Sequence, residues 1–225
     1  MNGGESSSTR TGPRVTWFID GFNLYHSIKA AERDLPDTQL KWLDIPALCE
    51  SYLYIVGGGA QVGKIHCFSA FAEHLRETYP DKLRKHKAIV RALTARKVKA
   101  HLSHFQQKKI WAHDLGQWVK VYEEKETDVR LACEVLKAAA LDELDVAILM
   151  TGDTDFIPLI QEFRVLYPSK RVLFAFPYHR ANRSLQRICP DSFKISKEAY
   201  AKNQFPDDVR LPSGKFVTIP ADWKI

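Results

Sequence analysis

The chain has 225 residues, 45% hydrophobic and 27% charged, enough for one α/β domain with a sizeable core. Thirty-three Lys and Arg against 27 Asp and Glu give a net charge of +6 and a pI near 9.1, a balance that suits a polyanionic partner without demanding one. No stretch is apolar and long enough for a signal peptide or a membrane span. The four cysteines, Cys49, Cys67, Cys133 and Cys189, are scattered without CxxC spacing. A disulfide scaffold and a zinc ribbon are therefore not expected; the cysteines read as buried free thiols of a soluble cytoplasmic protein. His101, His104 and His113 lack the partner cysteines that would complete a zinc site.

Residues 1–14 are rich in Gly and Ser and read as a disordered leader. Val15–Ile19 is a β-rich apolar run closed by Asp20; Gly21-Phe22-Asn23 is expected as a turn and Leu24–Arg33 as a helix. A second helix is predicted over Pro46–Ile55. The Gly57-Gly58-Gly59 run after it lacks the Lys-Ser/Thr of a phosphate-binding loop. Lys64–Phe68 supplies the next strand, and Asp81–Thr94 a basic helix whose lysines and arginines suit a solvated face. Lys97–Lys109 and Gln117–Tyr122 alternate polar and apolar residues, as in an antiparallel hairpin.

Glu123–Asp128 opens a helix expected over Val129–Ala140, with Val129, Ala132, Cys133, Leu136 and Ala139 as its apolar stripe. Val146–Met150 is apolar throughout, the pattern of a strand buried on both faces of a parallel sheet. It ends in Thr151-Gly152-Asp153-Thr154-Asp155, after which a helix begins around Pro158. Arg171–Phe176 is a further buried strand, Arg180–Ile188 a short basic helix and Phe193–Ile195 a last short strand. Residues 197–225 form a C-terminal extension, predicted as a hairpin closing on Trp223.

Strands alternating with helices predict a doubly wound, mostly parallel sheet covered by helices on both faces. In such a sheet ligands collect at the carboxyl ends of the strands, where Asp20, Asp153 and Asp155 fall, with Asp128 arriving at a helix N-terminus. Each acid has a plain structural alternative as an N-cap or turn residue. Four carboxylates in one cleft, with the Asn23 amide among them, nevertheless destabilise it by repelling one another unless a cation sits between them. All-oxygen ligands suit Mg²⁺ or Mn²⁺.

Three ordered blocks carry a family resemblance: Phe18–Leu24, Glu124–Ala132 and Thr151–Ile160. They resemble the signature blocks of NYN domains, including the LabA-like branch, within the PIN-like nuclease superfamily; the likeness runs over residues 15–196. The resemblance implies a Rossmann-like three-layer α/β sandwich and a metal-dependent ribonuclease. It carries catalytic roles to Asp20, Asn23, Asp128, Asp153 and Asp155, with the four aspartates as ligands of Mg²⁺ or Mn²⁺. Glu134, where relatives often carry Asp, is turned away from Asp128 by six residues of helix and stays outside the set. Thr151 replaces the commoner Ser and keeps a hydroxyl toward substrate. Arg180, Arg183 and Arg187, with Lys194, are candidate contacts to the RNA backbone, and Tyr25, Trp111 and Tyr178 candidate stacking partners for unpaired bases. The expected partner is single-stranded RNA, with no membrane and with a homodimer allowed. The competing function is a non-catalytic RNA- or protein-binding module of the same fold. An aspartyl-nucleophile phosphatase needs Asp-x-Asp after the first strand, where this chain has Asp20-Gly21-Phe22, and a Rossmann nucleotide site needs GxGxxG there.

Overall fold

The computed structural model describes residues 12–224, so most of the expected leader lies outside the described residues. Strand β1 (Arg14–Asp20) is the middle of a seven-stranded sheet. From it α1 (Gly21–Asp34) and α2 (Ile45–Ser51) lead to β2 (Gln61–Ala70), and α3 (Pro80–Ala95) to β3 (Lys99–Ala112) and β4 (Gln117–Lys125). Then follow α4 (Thr127–Ala140), β5 (Val146–Met150), α5 (Ile157–Leu166), β6 (Arg171–Phe176), α6 (Arg183–Ile188) and β7 (Phe193–Lys194). The strand order is β4-β3-β2-β1-β5-β6-β7, parallel throughout except for β4. The chain continues into α7 (Lys197–Lys202) and an antiparallel pair, β8 (Asp208–Arg210) and β9 (Phe216–Thr218).

Period-two alternation along β1 builds two cores. Val15, Trp17 and Ile19 face one layer, with Leu24 and Ile28 of α1, Leu48 of α2 and Leu93 of α3. Phe18 faces the other with Phe68, Leu131 and Val135 of α4, and Phe163 of α5. β5 is buried on both faces, as an all-apolar central parallel strand must be. The C-terminal extension belongs to the first core: Val209, Val217 and Ile219 are buried in it, and the Trp42 indole donates to the Pro206 carbonyl at 2.8 Å.

Several expectations shift. α1 begins at Gly21, with no separate turn, because Asp20 caps it. The predicted second helix stops at Ser51, followed by a single 3₁₀ turn over Leu53–Ile55. α4 begins at Thr127 and buries Leu131, Val135, Ala138 and Ala139; Val129 is 69% exposed and Cys133 is exposed, so the expected stripe is rotated and only three of the four thiols are buried. The cause is that α4 is apolar around much of its circumference, and the aromatic pair Phe18 and Phe68 decides which side docks. We therefore expect Leu131→Ala to cost about 2–5 kcal/mol in chemical denaturation. Val129→Ala, by contrast, should change stability by no more than about 0.5 kcal/mol.

Candidate active site

The site is assembled from the carboxyl ends of β1 and β5. Asp20 ends β1, and its Oδ1 accepts from the Asn23 backbone N–H at 2.9 Å, which satisfies a free donor of the first turn and starts α1 without a connecting loop. Its Oδ2 accepts from the Thr151 hydroxyl at 2.9 Å, across to the end of β5. The Thr151 oxygen in turn accepts from the Asp153 backbone N–H at 3.2 Å, and Asn23 Oδ1 accepts from the Gly152 N–H at 3.3 Å. Asp153 Oδ1 accepts from the Asp155 N–H at 3.0 Å, closing the turn that leads to α5. Neither motif glycine adopts a positive φ; each is required by close approach of another backbone. A Cβ on Gly21 would lie 2.5 Å from the Phe68 carbonyl oxygen, and one on Gly152 only 1.9 Å from that of Arg180.

Asp128, in the first turn of α4, meets Asp153 and Asp155 so that one carboxylate oxygen from each lies within 4.8 Å of the others. Partial burial pushes the Asp128 carboxyl up to about 6, with the charges of Asp20, Asp153, Glu124 and Asp155 adding to the effect. Burial also raises Asp20, against the hydrogen bonds from Asn23 and Thr151. An all-carboxylate donor set whose members repel one another fits a hard divalent cation such as Mg²⁺ or Mn²⁺. Asp20 stands behind this trio, with both oxygens already accepting a hydrogen bond.

Of the residues singled out in the sequence, Asp20, Asn23, Asp128, Thr151, Asp153 and Asp155 come together. Thr151 is fully buried and serves Asp20 and Asp153, not a surface ligand. Arg180 contributes its carbonyl against Gly152 while its side chain is exposed; Arg183 and Arg187 are exposed on α6 without an ion pair among the described residues. Tyr25 lies beside Asn23 with Phe22 and His26, an exposed aromatic group on the first turns of α1. Tyr178 is held at the surface by its hydroxyl donating to Asp34 at 2.8 Å and by stacking on His179. Sequence reasoning missed Glu124. Half-buried, it accepts from the Thr127 hydroxyl at 2.5 Å, and its carboxyl is raised by burial and by Asp20. The only local signal for it was the Glu-x-x-Thr spacing at the mouth of α4.

A second group of titratable residues lies under α4. His66 Nδ1 is 3.0 Å from His101 Nε2, and the Glu134 carboxylate is 3.8 Å from His66 Nδ1. The rings are 13° from parallel with centroids 5.2 Å apart, so the two nitrogens meet head-on, as in an N–H···N bond and not in a shared metal chelate. Burial holds both imidazoles below their ordinary value, His66 at about 4. Glu134 thus faces away from the acids, as its place on the helix required.

Parallel strands that deliver acids to one edge of a three-layer sandwich are consistent with a PIN-like fold. The NYN domain profile matches residues 14–196, and the chain belongs to the NYN domain family, within the PIN-like nuclease superfamily. Among solved structures, a Vibrio parahaemolyticus protein of unknown function is similar in fold. Its TM-score is 0.54 at 17% identity, covering 84% of this chain and 96% of that one. No protein of the curated set matches the chain. No helix among the described residues is long and apolar enough to cross a membrane.

A carboxyl raised by folding stabilises the fold only while protonated. In chelator the protein should therefore lose stability as pH rises from the ordinary Asp value of 3.8 through about 6. Melting curves in EDTA across that range should show the decline in wild type and a flatter profile in Asp128→Asn. Mg²⁺ or Mn²⁺ at pH 7 should raise the wild-type melting temperature and leave that of Asp128→Asn nearly unchanged.

Proposed function

We propose that this NYN domain hydrolyses RNA phosphodiester bonds with a divalent cation, Mg²⁺ or Mn²⁺, and that it belongs with the LabA-like branch. The carrying observation is the convergence of Asp128, Asp153 and Asp155, three carboxylates within 4.8 Å at the carboxyl edge of the sheet, with Asp128 pushed up to about 6 by burial and its acidic neighbours. Such an arrangement destabilises the protein on its own and is understandable as a ligand site. A cation held there would supply Lewis-acid stabilisation and a water of lowered pKa for in-line attack on phosphorus.

The protein's own residues divide the remaining work. Asp153 and Asp155 present their carboxylates from a turn whose backbone is fixed by Thr151, Asn23 and Asp153 itself. Asp20 holds that turn through Thr151, so it acts as much by positioning β5 against β1 as by charge. Asp128 completes the trio or orients the attacking water from the first turn of α4. Asn23 secures the Gly152 amide, and Gly152 lets the Arg180 backbone pass close to the acids. The exposed Arg180 side chain, and Arg183 and Arg187 on α6, would meet the RNA backbone.

Labelled single-stranded RNA incubated with the protein in Mg²⁺, Mn²⁺ and EDTA tests the reading. Cleavage should require metal, and Asp153→Asn should lower it by at least about a hundredfold. Metal-independent cleavage, or full activity in Asp153→Asn, would falsify this assignment. RNA binding with no cleavage of any substrate would make the domain a binding module.

A further inference from the structure

The β3–β4 hairpin contributes no carboxylate to the acid trio, yet it rises beside it. Lys99–Ser103 of β3 pair with β2, but from His104 to Ala112 the strand pairs only with β4. Nine residues of ribbon, about 30 Å if fully extended, thus run beyond the carboxyl end of the sheet on the same edge as the acids. The ribbon turns over His113–Leu115 and closes on Gly116, whose φ of +59° suits glycine. Its return strand ends at Lys125, three residues before Asp128, so the root of the hairpin adjoins the acid cluster.

Directly opposed residues of an antiparallel pair share a face. One face carries, from root to tip, Glu124 with Phe105, Tyr122 with Gln107, Lys120 with Lys109, and Trp118 with Trp111. The Tyr122 hydroxyl donates to Gln107 at 3.0 Å, His74 stacks on the Tyr122 ring at 3.9 Å, and the two indoles meet edge-on at 5.7 Å. The face begins beside the site, since Glu124 accepts from the hydroxyl of Thr127, the residue before Asp128. It ends in Trp111 and Trp118, 43% and 66% exposed.

The opposite face neutralises its own charge, for there Lys108 and Lys125 are both bridged by Glu123. On the aromatic face Lys109 and Lys120 have no acidic partner among the described residues. They stand directly opposite one another, an arrangement that destabilises a ribbon unless an anion lies between them. Two exposed indoles beyond two unneutralised ammonium groups, on a ribbon whose root, packed against His74, adjoins a carboxylate cluster, match single-stranded nucleic acid, with bases against the rings and phosphates between the lysines.

We propose that the Lys109/Lys120–Trp111/Trp118 face of the hairpin is the docking track for single-stranded RNA and leads it to the acids at the hairpin root. The proposal rests on the ribonuclease reading and can fail independently of it. The track is chemically distinct from the α6 arginines, which contribute charge without aromatic rings.

The test is equilibrium binding of a fluorescent single-stranded oligoribonucleotide to the full chain in EDTA, where binding is separated from turnover. Lys109→Ser/Lys120→Ser should weaken binding at least tenfold and reduce the slope of log affinity against log salt by about 1.4, as loss of two phosphate contacts to a single strand requires. Trp118→Ala should weaken binding about fivefold or more and reduce the RNA-induced quenching of tryptophan fluorescence. Asp153→Asn should bind at least as tightly as wild type. Lys109, Trp118 and Lys120 are all exposed, so melting temperatures of the hairpin variants should stay close to wild type.

If wild type binds RNA and the hairpin variants bind equally well with an unchanged salt slope, the track is elsewhere and the proposal is overturned, even where metal-dependent cleavage stands. If the hairpin variants lose binding while Asp153→Asn still cleaves, the track stands and the catalytic assignment falls. Wild type that binds no RNA overturns both. Hairpin variants that dissociate a dimer in sedimentation without altering RNA affinity would make this face an interface between copies instead.

Discussion

The hydrogen bond from Thr151 to Asp20 joins the ends of the two central strands, and the site is arranged around it. Both partners are buried, and each makes a second contact, since Asp20 caps α1 and Thr151 holds the backbone of Asp153. A charged acceptor makes such a bond stronger than a neutral one. Removing either side would leave the other buried and short of a partner, at a cost of about 1–3 kcal/mol. The same link fixes where Asp153 and Asp155 project, so stability and site geometry share one contact.

Around that link the fold gathers negative charge on one edge and hides the polar groups it cannot neutralise. The Asp128, Asp153 and Asp155 trio is open to solvent, where water or a cation can attend it. The His66–His101 pair lies beneath α4, where burial favours the neutral rings and one nitrogen of each meets the other at 3.0 Å. These two groups lie on the α4 side of the same sheet and solve opposite problems. One concentrates charge for a ligand; the other removes charge so that a core can close.

Much of this was legible in the chain. Val146–Met150 and Arg171–Phe176 emerge with the bounds expected of them, because runs of five and six residues rich in apolar side chains are too short for a buried helix and end at turn residues. The carboxylates were legible as strand-end and helix-start residues, and the three blocks gave the family. The docking face of α4 was not: Val129 and Cys133 compete with Leu131 and Val135 at equal hydrophobicity, and only Phe18 and Phe68, far away in sequence, break the tie. The roles of Gly21 and Gly152 were hidden for a similar reason. Each answers to a carbonyl, of Phe68 or Arg180, that arrives by tertiary packing and leaves no local mark. Glu124 was overlooked because a half-buried acid in a run of charged residues looks like solvated surface until the strand register places it near Asp20.

The strand order also has a temporal meaning. β1 lies between β2 and β5, and Val15 pairs with Val62 on one side and with Val146 on the other. One neighbour follows quickly in the chain; the second comes 131 positions later, at the Arg14–Asp145 ion pair and the Thr151–Asp20 bond alike. Until that partner arrives, the central strand has an open flank that can mispair with any exposed ribbon, including another copy's β1. A nascent chain of this topology must keep its middle unfinished until β5 has been made, and its acid cluster can form only when that wait is over.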